Sequence, residues 1–436
     1  MASAYLLRTP SSNGNRKTWT FSAWCKVQKD SNETIFDVGT NGGNNYTPFF
    51  FQNDQTIRLY EVVGGTLQSY NLITNRKFRD RNAWYHLVYR VDTTQSTASD
   101  RIRLYVNGVQ ETSFSTASYP AQDYDTLKNS TSYANVLGTA ADNYGANSYD
   151  GLMAHVHFCD GYSYAPTEFG ETDTTTGIWK PKTAPSVTYG TNGFFLKFDN
   201  SGNMGLDSSG QSNNFTTNGT IIQNKDTPSN VFNTLSPIDI PIAGTSTSGT
   251  LPTLSNTNAS ITNSNSAFRE VRSNIYVTKG KYYFECKPTR IGGSGAFQVG
   301  VVLRNYSSGS GERRAYQNSG SKYTPGSSSY GDTFAASDII GVALNLDDGE
   351  ITFYKNGVSQ GVAATDMITG MDNIGWTAAV NCYDADGDLN FGNGYFGTTA
   401  VTSAENPDDG IGIFEYDPPT GYRALCTKSI NAQEYS

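Results

Sequence analysis

The sequence predicts an all-β protein built as two sandwich domains in tandem, and three observations carry the prediction. One strand plan is written twice. His86-Leu87-Val88-Tyr89-Arg90-Val91-Asp92 precedes Leu104-Tyr105-Val106-Asn107-Gly108-Val109, and Ile339-Ile340-Gly341-Val342-Ala343-Leu344-Asn345-Leu346-Asp347 precedes Phe353-Tyr354-Lys355-Asn356-Gly357-Val358. Asn-Gly between β-rich runs favours a two-residue type I′ turn, because both central residues need φ > 0 and these two tolerate it best. Composition is the second observation: 44 Gly, 28 Tyr and 22 Phe accompany only 16% charged residues, with Ser, Thr and Asn filling the gap. The third is periodicity, since apolar residues alternate with polar ones over short runs between turn residues. A chain of 436 residues is long enough for two or three domains, each with its own core.

The elements follow in order. Trp19-Thr20-Phe21-Ser22-Ala23-Trp24-Cys25-Lys26-Val27 alternates as a strand with one face in a core. Ile35-Phe36-Asp37-Val38, Ile57-Arg58-Leu59-Tyr60, Trp84 to Tyr89 and the first Asn-Gly hairpin continue the pattern. In residues 151–158, Leu152, Ala154, Val156 and Phe158 are expected on one face and His155 and His157 on the other. A Thr- and Pro-rich stretch spans 165–188, and residues 194–215 read as an added strand pair on the first domain, which is expected to span 1–226. Residues 227–267 are dominated by Ser, Thr, Asn and Pro and read as a linker or loose edge strands. The second domain is expected over 268–397, with strands at Lys281 to Cys286, Phe297 to Val302, the second hairpin, Trp376 to Val380 and Leu389 to Gly392. Residues 398–436 remain as a short C-terminal arm.

Charge and cysteine usage exclude several classes. The net charge is −9 and the pI 4.9, which argues against nucleic-acid binding, since phosphates require clustered Lys and Arg. The short basic clusters, Arg76 to Arg81 and Arg313-Arg314, carry or adjoin acids and read as solvated loops. Five scattered cysteines without a Cys-x-x-Cys read as small buried hydrophobes in a reducing compartment. Residues 1–8 do not resemble a secretion signal, and no apolar run approaches the ~20 residues of a membrane span.

Candidate chemistry is sparse. Glu171-Thr172-Asp173 begins the paired-carboxylate pattern of a glycoside hydrolase strand, but Thr176 stands where its second Glu belongs, so no enzyme is expected. Neither a Gly-x-Ser-x-Gly elbow nor a phosphate-binding Gly-rich loop is present. His155 and His157 read either as a metal pair or, more simply, as a polar sheet face. Asp384, Asp386 and Asp388 are the candidate metal ligands, because alternating Asp with Gly lets oxygens converge on Ca²⁺; the alternative is a plain hairpin. Sugars are bound by aromatic faces together with Asn, Asp and backbone groups. Loops supplying these groups are Asn41 to Tyr46, Asn143 to Tyr149 and Tyr316 to Tyr330. The candidate ligand-binding residues are Asn143, Tyr144, Asn147, Tyr149, Tyr316 and Tyr323. The competing reading is that Tyr, Asn and Gly are ordinary β-loop residues.

Trp19-Thr20-Phe21-Ser22-Ala23-Trp24, Trp84-Tyr85-His86-Leu87 and Tyr149-Asp150-Gly151-Leu152-Met153-Ala154 resemble the laminin-G and pentraxin-like branch of the concanavalin-like jelly rolls, over roughly residues 15–165. Gly280-Lys281-Tyr282-Tyr283-Phe284-Glu285, Val299-Gly300-Val301, Asp338 to Leu344, Ile351 to Gly357 and Asn390-Phe391-Gly392 resemble a SPRY domain, another jelly roll. The resemblance implies two concanavalin-like jelly-roll sandwiches. It also allows a Ca²⁺ at a rim formed by Asp123, Asp125, Asp142 and Asp150. The pairing of these modules, with the joint at 226–237 and the ending Gly421-Tyr422-Arg423-Ala424-Leu425-Cys426-Thr427, is similar to structural proteins of marine tailed bacteriophages. That resemblance implies a virion location after assembly in bacterial cytoplasm, as a tail fibre, spike or capsid appendage. Its expected partners are other virion proteins, a host surface glycan or receptor, and further copies of itself in a homo-oligomer; no nucleic acid and no membrane insertion are expected. Host attachment is the expected function, and an architectural virion part without receptor binding is the alternative.

Overall fold

The computed structural model describes residues 4–28, 31–240, 251–304, 313–324, 326–368 and 374–434. The chain divides into two compact units, Met1–Gln223 and Asn224–Ser436. Each is a sandwich of two sheets with antiparallel neighbours, apart from one short parallel pair in the second.

In the first unit one sheet runs, in spatial order, Phe114–Ser118, Thr66–Thr74, Ile57–Val63, Phe49–Phe51, Glu33–Gly39, Ala134–Leu137, Tyr5–Arg8 and Thr216–Asn218. The facing sheet runs Phe194–Leu196, Gly151–Asp160, Thr18–Val27, Tyr85–Asp92, Ile102–Val106 and Val109–Glu111. Alternate residues Trp19, Phe21, Ala23 and Cys25 enter the core, where Phe21 stacks on Phe36 at 4.6 Å. The core also holds a charged side chain. Lys128 is buried, its Nζ donates to the Thr47 carbonyl at 2.9 Å, and it lies over the rings of Trp19, Phe36 and Tyr89.

Strand Gly151–Asp160 departs from strict alternation. Ala154 pairs with Trp24 but His157 pairs with Ser22, so two residues stand opposite one, and His155 takes φ +47°. This bulge switches which side faces inward. Met153, Val156 and Phe158 pack on the core, while Leu152 and Ala154 pair with Lys26 and Trp24. The expectation that Leu152 and Ala154 share the face of Val156 is corrected accordingly.

In the second unit one sheet runs Thr253–Ser255, Ser260–Asn263, Ala385–Asn390, Lys281–Ile291, Ile340–Asn345, Glu350–Lys355 and Val358–Ala364, with Arg423–Ala424 added in parallel to Lys281–Ile291. The other runs Arg269–Arg272, Trp376–Cys382, Phe297–Leu303, Arg313–Gln317, Ser321–Tyr323 and Ser327–Ser329. Within the stretch read as linker or edge strands, Thr253–Ser255 and Ser260–Asn263 are edge strands of this unit. The stretch read as an arm is folded onto the same unit. It ends in a helix, Thr427–Glu434, whose Gln433 accepts from the Tyr282 hydroxyl at 2.9 Å.

Both Asn-Gly turns have the left-handed pair that a type I′ turn needs: φ is +49° and +81° at Asn107-Gly108, and +49° and +78° at Asn356-Gly357. The Asn side chains repeat one another as well. Asn107 Oδ1 accepts from the His86 N–H at 2.8 Å while the Asn107 N–H donates to the His86 carbonyl at 2.8 Å. Asn356 does the same with Ile339, at 2.7 and 2.8 Å. In each unit a strap covers the outer face of the hairpin's sheet. The first strap, within residues 161–193, buries Val88, Tyr105, Cys159 and Phe169, and the second, within residues 411–422, buries Tyr283, Ala343, Phe414 and Ala424. All five cysteines are buried and free.

Candidate binding site

The loop between Ala134–Leu137 and Gly151–Asp160 is built from the core outward. Asp37, fully buried, anchors it by accepting from the Ala141 N–H at 2.9 Å, and also accepts from Val38 and Thr47. Burial lifts the Asp37 carboxyl to about 6 against the pull of those donors and of Lys128. Thr139 Oγ1 accepts from the Gly145 N–H at 2.8 Å and donates to the Ala146 carbonyl at 3.0 Å, so the loop is tied to itself. The Asn147 carbonyl accepts from Thr34, and Asn147 holds φ +47°, which Asn tolerates.

This scaffold leaves a polar, aromatic rim. Asn143 and Asn147 are exposed. Tyr144 is half-buried, its N–H donates to Asn41 Oδ1 at 3.2 Å, and its ring meets Tyr5 at 5.2 Å. Tyr46 and Tyr60, 6.1 Å apart, lie close enough to Asp142 for its charge to raise both phenols further above the level set by burial. Arg58 stacks on Tyr60 at 4.2 Å and donates to Asn71 at 2.9 Å. The rim therefore offers three kinds of group together: aromatic faces, a carboxylate, and amides on a rigid loop. Tyr5, Tyr60, Arg58 and Asp142 are absent from the candidate ligand-binding set read from sequence. Alternation in Ile57–Val63, which turns Arg58 and Tyr60 away from the core, is the signal that points to two of them.

The other sequence candidates fall elsewhere. The Tyr149 hydroxyl donates to the carbonyls of Lys26 and Leu152, at 2.9 and 3.0 Å, so Tyr149 pegs the loop to the sheet. Tyr316 is corrected. It is buried in the second unit's core against Phe334 and Phe353, and its hydroxyl donates to the Asp332 carbonyl. Tyr323 is half-buried in a different unit from Asn143, under the Arg313 guanidinium at 5.3 Å. The structure thus brings Asn143, Tyr144 and Asn147 together on one loop of the first unit, with Tyr149 as its peg, whereas Tyr316 and Tyr323 belong to the second unit.

The metal reading of Asp384, Asp386 and Asp388 is also corrected. The guanidinium of Arg290 occupies the position a cation would take, donating to Asp386 at 2.7 and 3.0 Å and to Asp384 at 2.5 Å. Asp388 turns away and accepts from Ser260 Oγ at 2.5 Å; burial raises its carboxyl. Among the described residues no group of three or more His, Cys, Asp or Glu is arranged to hold a metal, and this includes the rim aspartates Asp123, Asp125, Asp142 and Asp150.

Glu171 and Asp173 serve a turn. Asp173 accepts from the N–H groups of Thr175 and Thr176 and from Lys180 Nζ at 2.8 Å, and Lys180 holds its carboxyl well below the usual range. His86 and His157 lie beneath the first strap, and His155 stacks beside His157. His86 lies between the rings of Trp24 and Trp179, at 4.8 and 5.9 Å. Trp179 Nε1–H can only donate, so His86 Nδ1 accepts it at 3.0 Å and the proton sits on Nε2, which donates to Ser22 Oγ at 2.9 Å. Burial drives His86 down to about 3 and keeps it neutral. His157 stacks on Phe195 at 3.9 Å and contacts the Tyr189 hydroxyl at 2.9 Å.

Residues 2–168 match the family model of the concanavalin A-like lectin/glucanases superfamily, and residues 281–371 match that of the SPRY domain. The chain carries a concanavalin A-like unit and a SPRY unit. Both kinds of domain are typically binding or interaction modules. Similar solved structures include the SPRY domain of human HERC1, at 19% identity over 30% of this chain and 87% of that one, with a TM-score of 0.28. A second is a heptameric SAP-like pentraxin from Limulus polyphemus, at 15% identity over 38% and 73%, with a TM-score of 0.29.

Proposed function

We propose that the chain is a non-enzymatic surface protein of a tailed-phage virion that attaches to host glycan or surface protein through the Asn143–Asn147 rim of its first unit. The observation that carries the binding reading is the construction of that rim. Asp37 and Thr139 hold the loop from below, and this leaves Asn143, Asn147 and one edge of Tyr144 at the surface without a role in the core. A fixed loop presenting aromatic faces and amides binds at low ordering cost. The virion part of the reading rests on the paired modules and on the joint and ending segments at 226–237 and 421–427.

The test is retention of the full chain on host envelope polysaccharide. Tyr144→Ala is expected to weaken retention about tenfold or more while changing stability by less than about 0.5 kcal/mol, as for surface positions in general. No retention on any envelope fraction would contradict attachment. One observation favours the architectural alternative. Val109 and Val358, beside the two hairpin glycines, are 64% and 66% exposed, and Ile178 is 56% exposed next to Trp179. Such tips suit contacts with other virion proteins, and substituting Val109 and Val358 by Ser would then block incorporation into particles without affecting polysaccharide retention.

A further inference from the structure

We propose that the second unit carries its own carbohydrate subsite, at the two-residue turn Tyr383-Asp384 that joins strands Trp376–Cys382 and Ala385–Asn390. Among the described residues the other large aromatic side chains of this unit are buried or half-buried, and the two exposed ones stand side by side: Tyr383, 37% exposed, and Phe268, 40% exposed, with ring centroids 5.6 Å apart at 56°. They reach this point from segments more than a hundred residues apart in sequence, and neither ring is part of the core.

The polar groups beside them are fixed before any ligand arrives. Asp384 holds φ +42°. Its N–H donates to the Asn265 carbonyl at 2.9 Å, and Arg290 Nη1 donates both to its carbonyl at 3.0 Å and to Oδ1. Arg290 places its remaining N–H groups on Asp386 and on the Asn263 carbonyl. All five guanidinium hydrogens are therefore engaged, and no donor is left for an anion. Asp384 Oδ2 has no hydrogen bond among the described residues, and the side chain is 43% exposed. Beside it Gly292 and Gly293 keep the tip open: a Cβ on Gly292 would fall 2.5 Å from the Asp384 carbonyl, and Gly293 has no neighbour within 4 Å.

What remains for a ligand is a rigid carboxylate acceptor next to two aromatic faces. The matching chemistry is an uncharged ring with a C–H face to stack and hydroxyls to donate, namely a neutral pyranose. Two carboxylates against one guanidinium disfavour an acidic sugar. This subsite is independent of the first unit's rim, so the two readings fail separately.

The experiment is affinity gel electrophoresis of the full chain through gels cast with a neutral glucan, mannan or galactan, and with alginate as the acidic control. Retardation in at least one neutral gel, and none in alginate, is expected. Tyr383→Ala, Phe268→Ala and Asp384→Asn are each expected to weaken that retardation about tenfold, and Tyr144→Ala to leave it in place. Asn tolerates the left-handed turn, so Asp384→Asn tests the carboxylate without disturbing the fold. The proposal is overturned if no neutral gel retards the chain, if the retardation survives all three substitutions, or if it is lost only with Tyr144→Ala. Preferential retardation by polylysine would also overturn it, in favour of a cationic peptide.

Discussion

The two Asn-Gly hairpins are made alike and locked differently. In each, the Asn closes the same pair of hydrogen bonds, one through its side-chain oxygen and one through its backbone N–H, and a ring from a later strap lies against the Gly. A Cβ on Gly108 would meet the Trp179 ring at 3.0 Å, and one on Gly357 the Tyr416 ring at 2.6 Å. Beyond the ring the two locks diverge. The first strap is held by aromatic stacking and by the Trp179–His86–Ser22 chain of hydrogen bonds. The second is held by Glu285, which accepts from the backbone N–H groups of Glu415 and Tyr416 at 2.9 Å each, with Asn390 and Tyr283 also donating to it. A turn can thus be conserved in geometry within one chain while the strap above it depends on side chains of opposite chemistry.

Substitutions at the two locks sharpen this contrast. The largest effect is expected from Glu285→Leu, which leaves two backbone N–H groups and the Asn390 amide in a buried site without their acceptor. The second unit should lose about 3 kcal/mol, read as a lowered midpoint of its own thermal transition. Trp179→Ala removes a ring and the donor to His86 and should cost the first unit roughly 2–3 kcal/mol. Tyr416→Ala should cost only about 1 kcal/mol, because Glu285 binds the backbone at that position and survives the substitution. Equal losses for Trp179→Ala and Tyr416→Ala would erase the contrast.

The locks should also respond to pH in opposite senses. Burial lifts Glu285 to about 7 in the folded state, above its ordinary 4.5. The folded state therefore binds the proton more tightly, and the contribution is complete below pH 4.5 and is lost as pH rises through 7. His86 is pushed down to about 3 from 6.5, so its contribution is complete above pH 6.5 and is lost as pH falls towards 3. Glu285→Gln should reduce the second unit's slope between pH 4.5 and 7, and His86→Gln should reduce the first unit's between pH 6.5 and 3, the remainder there belonging to His155 and His157, which burial also lowers. Slopes unchanged in both variants would assign the pH response to other groups.

Part of this was legible in the sequence, because turn chemistry is local. Asn-Gly between alternating runs specifies φ > 0 at two adjacent residues, and both turns have it. Two β-rich domains follow from the same short runs, and their jelly-roll form from the resemblance of those runs to laminin-G-like and SPRY sequences. The locks were hidden because their partners are remote: Trp179 lies 93 residues from His86, and Tyr416 lies 131 residues from Glu285. Asp384 and Asp386 resemble a cation loop until Arg290 on the neighbouring strand, 96 residues from Asp386, is seen. Tyr316 looked like a loop residue, yet alternation within Arg313–Gln317 turns it inward onto Phe334 and Phe353. The bulge at His155 defeated the face assignment in its strand, since nothing in Ala154-His155-Val156 announces an extra residue. At the rim, Tyr144 and its flanking asparagines could be named, but Tyr5 and Tyr60 join them only through the sheet.

The most direct test is differential scanning calorimetry of the full chain carrying Gly108→Val or Gly357→Val. Each substitution forces a β-branched residue into left-handed backbone against a packed ring. Two transitions are expected, with Gly108→Val lowering only the first unit's and Gly357→Val only the second's, each by several degrees. A single transition lowered by both substitutions, or no shift with either, would contradict two separately locked sandwiches.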